Sequence, residues 1–199
     1  MTTAIVIGNG ESRLGLPLSN FKNFKIGCNG ICRDHLVDNL VCVDKRMVKE
    51  ALDLSYKNPI YTRKDWLHHF NNIKNVCSVP TLPFNQNSRA DNPFNWGSGP
   101  YAIFLAARDF NKILLIGFDL YSKSKFVNNI YKNTKNYDQA EKHAVDPRYW
   151  IYQITNIFSF FTNKTFIVYQ EPEWKIPASW QLPNVLVDNL ENIKYNINF

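Results

Sequence analysis

The sequence predicts an α/β fold in which a mostly parallel sheet is covered by helices on both faces. Short apolar runs rich in Val and Ile recur along the chain, each stopped by Gly, Asn or Asp. Segments with helical spacing of apolar residues alternate with them. The run KILLIGF at 112–118 has an unbroken apolar centre, the pattern of a strand buried on both faces.

Taken in order, residues 4–7 form a strand that glycine stops, and 24–28 form a second, ended by Asn29-Gly30. A third covers 40–43 and runs to Asp44. The segment 45–56 carries Met47, Val48, Ala51, Leu52 and Leu54 at helical spacing, and Pro59 limits it. A short strand follows at 60–61, a short helix at 64–71 and another strand at 76–79. Prolines and asparagines make 81–95 a loop, with Arg89 within it. The best helix of the front half, 98–110, feeds the central strand. An aromatic-rich helix at 147–162 leads to a strand at 165–169. From Glu171 onward, Pro172, Pro177 and Pro183 predict a tail, 171–199, that wraps the surface of a single domain spanning 1–199.

Composition bounds the function. With 199 residues, 45% hydrophobic and 20% charged, the chain can bury one continuous core without staples. Its net charge of +6 is spread along the chain and forms no nucleic-acid-binding arm. One stretch is different: 122–137 holds Lys123, Lys125, Lys132 and Lys135 and no glutamate or aspartate. It reads either as a solvated loop or, extended to 142, as a lid over an anionic ligand. Cys28, Cys32, Cys42 and Cys77 have no metal spacing, so free thiols in a reducing compartment are expected. The start MTTAIVIGNG lacks a signal-peptide pattern and no apolar run is long enough for a bilayer, so a cytoplasmic protein is expected.

In parallel sheets the ligand sits beyond the carboxyl ends of the strands. That rule gathers Gly8, Asn9, Gly10, Asn29, Asp44 and Asp119 at one rim. The loop Gly8-Asn9-Gly10-Glu11-Ser12 lacks the third glycine of a dinucleotide fingerprint. Asn9 suits either a left-handed turn or a ligand contact. Ser98 and Gly99 open the best helix, where Ser98 serves as an N-cap and the first amides form an anion site. Asp119 and Tyr121 follow the central strand. Each suits a packing or capping role, and Tyr121, Tyr131 and Tyr137 also suit hydrogen bonds to a phosphate. Of four histidines, His35, His68 and His69 read as surface or packing residues. His143, just after the lysine-rich segment, is the natural general base of an acid–base mechanism.

The runs IVIGNGES, IGCNGI, WGSGPYAIFLAARDFNKILLIGFDLY and the His143 segment, in this order over positions 4 to about 155, resemble the bacterial sialyltransferases that use CMP-sialic acid. That resemblance implies a single Rossmann-like domain with a lid, here reduced because the chain is short. It implies nucleotide contacts from Asn9, Asn29, Ser98 and Gly99, and Gly8, Gly10, Ser12, Asp44 and Asp119 of the same loops and rim complete the expected nucleotide site. It implies a catalytic set of His143 as base, Tyr121 on the leaving phosphate and Tyr131 as its partner on the lid. The reaction would be a metal-independent, inverting transfer from a nucleotide-sugar co-substrate to a glycan or small-molecule acceptor, with no other cofactor. The chain departs from the family at Asp44, where the family has asparagine, and before the Ser98 helix, where Asn95-Trp96 replace an arginine. The architecture also resembles, more distantly, pterin diphosphokinase-like and motility-associated glycosyltransferase proteins. Two other readings therefore stand beside the transferase. One is a Mg²⁺-dependent phosphotransferase using Asp44 and Asp119. The other is a non-catalytic nucleotide-binding protein with Trp174 and Trp180 as a partner surface. Neither nucleic acid nor membrane insertion is expected, and a homo-oligomer is left open.

Overall fold

The computed structural model describes residues 2–84 and 96–197. Arg89 and Asn95, and most of the expected 81–95 loop, lie outside them. Eight strands are β1 (Thr3–Ile7), β2 (Phe24–Cys28), β3 (Asn39–Val41), β4 (Ile60–Thr62), β5 (Val76–Ser78), β6 (Lys112–Ile116), β7 (Thr165–Gln170) and β8 (Val185–Asn189). They form one sheet in the order β5-β4-β3-β2-β1-β6-β7-β8, and every pair is parallel. The described residues also form three α-helices, α1 (Lys45–Asp53), α2 (Ser98–Asp109) and α3 (Arg148–Phe160), and several short 3₁₀ turns. The expected Rossmann-like α/β architecture is observed.

The pleat of the central strands divides the core in two. Ala4, Val6, Ile113, Leu115, Phe166 and Val168 pack with α2 and α3. Ile5, Ile7, Leu114, Ile116, Ile167 and Tyr169 face the other way, into a second cluster that includes Met47, Val48 and Ala51 of α1 and Ile193 of the tail. Nine of the twelve residues of α2 are buried, which explains why it is apolar nearly all round rather than striped.

The chain leaves β1 toward β2 on one side, and leaves β6 toward β7 on the other. Adjacent strands with diverging connections open a crevice at their carboxyl ends. The crevice therefore lies between the loops that follow Ile7 and Ile116.

The structure trims several expectations. The helix from Lys45 stops at Asp53, and Ser55 then takes φ 58°. The short helix expected at 64–71 is a 3₁₀ helix, Lys64–Phe70. The central strand ends at Ile116 because Gly117 turns with φ 69°. The tail is the main correction. It does not only wrap the surface: Val185–Asn189 adds a full parallel edge strand along β7, and Trp180 is completely buried. The indole of Trp180 donates to the Ile151 carbonyl and packs on Phe158, so it cannot serve as a partner surface. Among the described residues no helix is long and apolar enough to cross a membrane.

Candidate functional site

The β1 loop is fixed to the β6 loop by backbone. Gly8 N–H donates to the Ile116 carbonyl at 2.8 Å and Gly10 N–H to that of Gly117 at 2.9 Å. A Cβ on Gly8 would clash with the Gly117 carbonyl oxygen, and one on Gly10 with the Asp119 carboxyl. Neither Gly8, Gly10 nor Asn9 has positive φ, whereas Asn29 is left-handed, at φ 51°. Buried Asp119 accepts from the Ser12 N–H at 2.9 Å and from the Ser12 hydroxyl. Trp174 donates to the Asp119 carbonyl at 2.7 Å.

Asn9 spends its amide on the scaffold. Its Nδ2 donates to the Cys28 carbonyl at 3.0 Å and to the Tyr137 hydroxyl at 3.3 Å. Arg13, only 4% exposed, donates from Nε to the Gly8 carbonyl at 2.7 Å and from Nη2 to Asn9 Oδ1 and the Tyr131 hydroxyl. Ser98 is the first residue of α2, and Gly97 is its N-cap. The Ser98 hydroxyl accepts from Val43 N–H at 3.0 Å and donates to Asn29 Oδ1 at 2.9 Å, joining three loops. Asp44, not Ser98, caps a helix with its side chain: it accepts from Arg46 N–H at 2.8 Å and chelates the Arg46 guanidinium. Partial burial pushes the Asp44 carboxyl up, but the bonds from Arg46 outweigh it and hold the group below the usual carboxylate range.

These parts surround a cleft of about 320 Å³ at the β1–β6 crevice. The structure brings Gly8, Asn9, Gly10, Asn29, Asp44, Ser98, Gly99 and Asp119 to its wall. Ser12 stands behind Asp119. The amides of Ser98 and Gly99 have no intrahelical acceptor and open onto the cleft, a ready anion site. Asp44 and Asp119 carry the charge of the wall; no Lys, Arg or His is among its described lining residues. Cys28 also lines it; burial pushes its thiol up to about 12 despite the nearby Arg13, so it is no nucleophile at neutral pH.

The lysine-rich segment contributes differently from expectation. Asn128 and Asn129, not its lysines or tyrosines, reach the cleft wall. Asn128 is held by Glu11 N–H at 2.8 Å, and Lys132 pairs with Glu11 at 2.6 Å. Tyr131 is buried against Arg13, away from the wall. The Tyr137 hydroxyl accepts from Gly30 N–H at 2.8 Å. Arg33 lies 5.2 Å from both the Tyr131 and Tyr137 ring centres. It also donates to Thr134 Oγ1 at 2.5 Å and the Lys135 carbonyl at 2.6 Å, and pairs with Glu50. Glu50 accepts in turn from Asn136 at 2.6 Å. Tyr121 is 41% exposed and leans on Trp174 with ring centres 6.4 Å apart. His143 is exposed, forms an isolated bridge with Phe126 and packs on its ring. Tyr121, Tyr131 and His143 thus lie outside the cleft wall.

The sequence reading missed Arg13, Asn128, Asn129, Leu120 and Trp150. Leu120 lines the cleft with φ 60°, a left-handed conformation costing roughly 1–2 kcal/mol in a non-glycine residue. Nothing in its local sequence announces that. No protein-family model and no curated protein matches this chain. Among solved structures it is similar to the sialyltransferase CstII from Campylobacter jejuni, determined in complex with a substrate analogue, cytidine-5'-monophosphate. That likeness covers 100% of this chain and 88% of that one, at 16% identity and a TM-score of 0.45.

Proposed function

We propose that the chain is a glycosyltransferase that binds a nucleotide-activated sugar, CMP-linked, in the β1–β6 cleft. The observation that carries the reading is the convergence there of two strand-end loops and the unpaired first amides of α2. The cleft volume of about 320 Å³ falls at the small end of the range for ligand sites, roughly 300–1,000 Å³.

In this reading the Ser98 and Gly99 amides receive the donor phosphate, and Asn29 and Asp44 take hydroxyl or base contacts. Asp119 and the glycines hold the wall. His143 removes the acceptor hydroxyl proton as that oxygen bonds the anomeric carbon and the bond to phosphate breaks, inverting the centre. Tyr121 donates to the departing phosphate. Tyr131, engaged by Arg13, anchors the segment that supplies Asn128 and Asn129. The phosphotransfer alternative asks Asp44 and Asp119 to hold Mg²⁺, yet Ser12 donates to both oxygens of the second, which leaves Asp44, in an exposed pair with Arg46, as a lone carboxylate. No group of three or more His, Cys, Asp or Glu suited to a metal ion occurs among the described residues.

The test is thermal unfolding with CMP, CDP, UMP, UDP, GDP, ATP and S-adenosylmethionine, each with and without Mg²⁺. CMP at about 100 times its Kd should add about 2.7 kcal/mol, roughly 5–10 °C for a domain of this size, without metal. A preference for ATP with Mg²⁺ would sink the transferase, and silence across the panel would sink the nucleotide site. With the donor established, a His143→Ala variant that turns over at the wild-type rate removes that imidazole from the mechanism. The expected loss is on the order of 10²–10⁴.

A further inference from the structure

Beside the cleft lies a second cavity of about 490 Å³ that shares Val43, Asp44 and Gly97 with it. Its chemistry is the reverse of its neighbour's. The cleft wall carries carboxylates and no cation, whereas this groove is lined by Lys45, Arg46 and Arg63 around the indole of Trp66. Trp66 donates to the Val43 carbonyl at 3.0 Å, which fixes the ring. Lys45 Nζ and the Arg63 guanidinium each lie 4.9 Å from its centre, so the ring holds both cations in place.

The two arginines are each chelated by a carboxylate two residues away, Arg46 by Asp44 and Arg63 by Asp65. Lys45 makes no ion pair among the described residues. Counting both carboxylates, the described residues of the groove keep a positive charge. Arg46 retains donors beyond the two it uses. Its side chain is 65% exposed, and so open an ion pair is weak enough for a ligand anion to compete with the local carboxylate.

We infer that this groove binds the anionic group, a carboxylate or phosphate ester, of an acidic sugar that serves as the acceptor; the role of acceptor rests on the nucleotide reading of the cleft. The two cavities meet at Asp44, so a molecule held by Lys45, Arg46 and Arg63 lies directly beside one held at Ser98 and Asn29. Arg46 stands exposed at the groove's edge.

The experiment is calorimetric titration of the full chain with glucuronate, glucose 6-phosphate and glucose, without nucleotide and then with saturating CMP. Both acids should bind and glucose should not, and CMP should leave acid binding intact. A Lys45→Gln/Arg63→Gln double variant should bind the acids at least ten-fold more weakly and CMP as before. Acid binding no tighter than glucose, or undiminished in the double variant, overturns the groove as an anion site. Acid binding abolished by CMP moves the acid into the cleft and likewise overturns it. If a CMP-linked acidic sugar blocks the free acid where CMP does not, the charge belongs to the donor's own sugar and the acceptor assignment falls. A chain that binds acids but no nucleotide would sink the nucleotide reading and the acceptor role with it, and leave the groove an anion site.

Discussion

Gly10 has no room for a side chain, because the Asp119 carboxyl fills the space and is itself pinned by Ser12. A Gly10→Ala variant must push Asp119 off Ser12 or strain the loop. Overpacking of this kind costs about 1–3 kcal/mol, roughly 2–12 °C in Tm for a chain of this length. Gly8→Ala should cost more, since its obstacle is the Gly117 backbone. Urea unfolding measures both, and an unchanged midpoint for either variant refutes the packing account. The glycines were legible as special positions, but their reason was not. The GNGES run pointed to a tight turn or a ligand, and the structure supplies a neighbouring loop more than a hundred residues away. Asn9 is similar: its amide is consumed by Arg13, four residues on, and by Cys28 and Tyr137, partners that no local window contains.

The same limit governs the segment 122–142, where element-scale forces decide. Read alone it is a lysine-rich loop, and charge suggested a closing lid. Its own Tyr131 and Tyr137 instead pack on Arg33, just after β2, and Arg33 with Glu50 of α1 clasps 131–137. Burial pushes the Glu50 carboxyl up, and the bonds from Arg33 and Asn136 outweigh it and bring it below its ordinary value. A carboxylate depressed in the folded state stabilises fully above its unfolded value, about 4.3, and loses that contribution as pH falls through the folded value. The clasp should therefore hold at neutral pH and release in acid. Amide exchange across 131–137, corrected for intrinsic rates, should lose protection below about pH 4 in the wild type. Glu50→Gln gives up a charge-assisted bond of about 1.5–3 kcal/mol, so it should open the segment about ten-fold or more at pH 7. It should also flatten the acid dependence. Wild-type protection in that variant would mean that Tyr131 and Tyr137 hold the segment without the ion pair.

Across the whole molecule, the strand–helix alternation was enough to read a parallel sheet with a rim of loops, because buried parallel strands announce themselves by continuous apolar runs. The edge was not readable. β8 is VLVDN, with Leu186 and Val187 exposed, and three prolines precede it, so neither periodicity nor composition marks a strand. Its place is secured by what lies before it. Trp180 fills the space between α3 and the sheet, 5.2 Å from the Phe158 ring, and the chain then turns to lay β8 along β7. If that indole is the keystone of the tail, Trp180→Ala should cost about 3–5 kcal/mol, the range for a large buried aromatic. Trp180→Phe should cost less, since it keeps most of the ring and loses the bond to Ile151. Trp174→Ala supplies the contrast, because that side chain is only half-buried and bonds the Asp119 carbonyl at the cleft. Its loss should weaken ligand binding more than it lowers the unfolding midpoint. Urea titrations of the three variants, paired with CMP titrations, separate the roles. Equal midpoints for Trp180→Ala and Trp174→Ala would show that the tail docks through β8 alone, with the buried indole contributing no more than its half-buried neighbour.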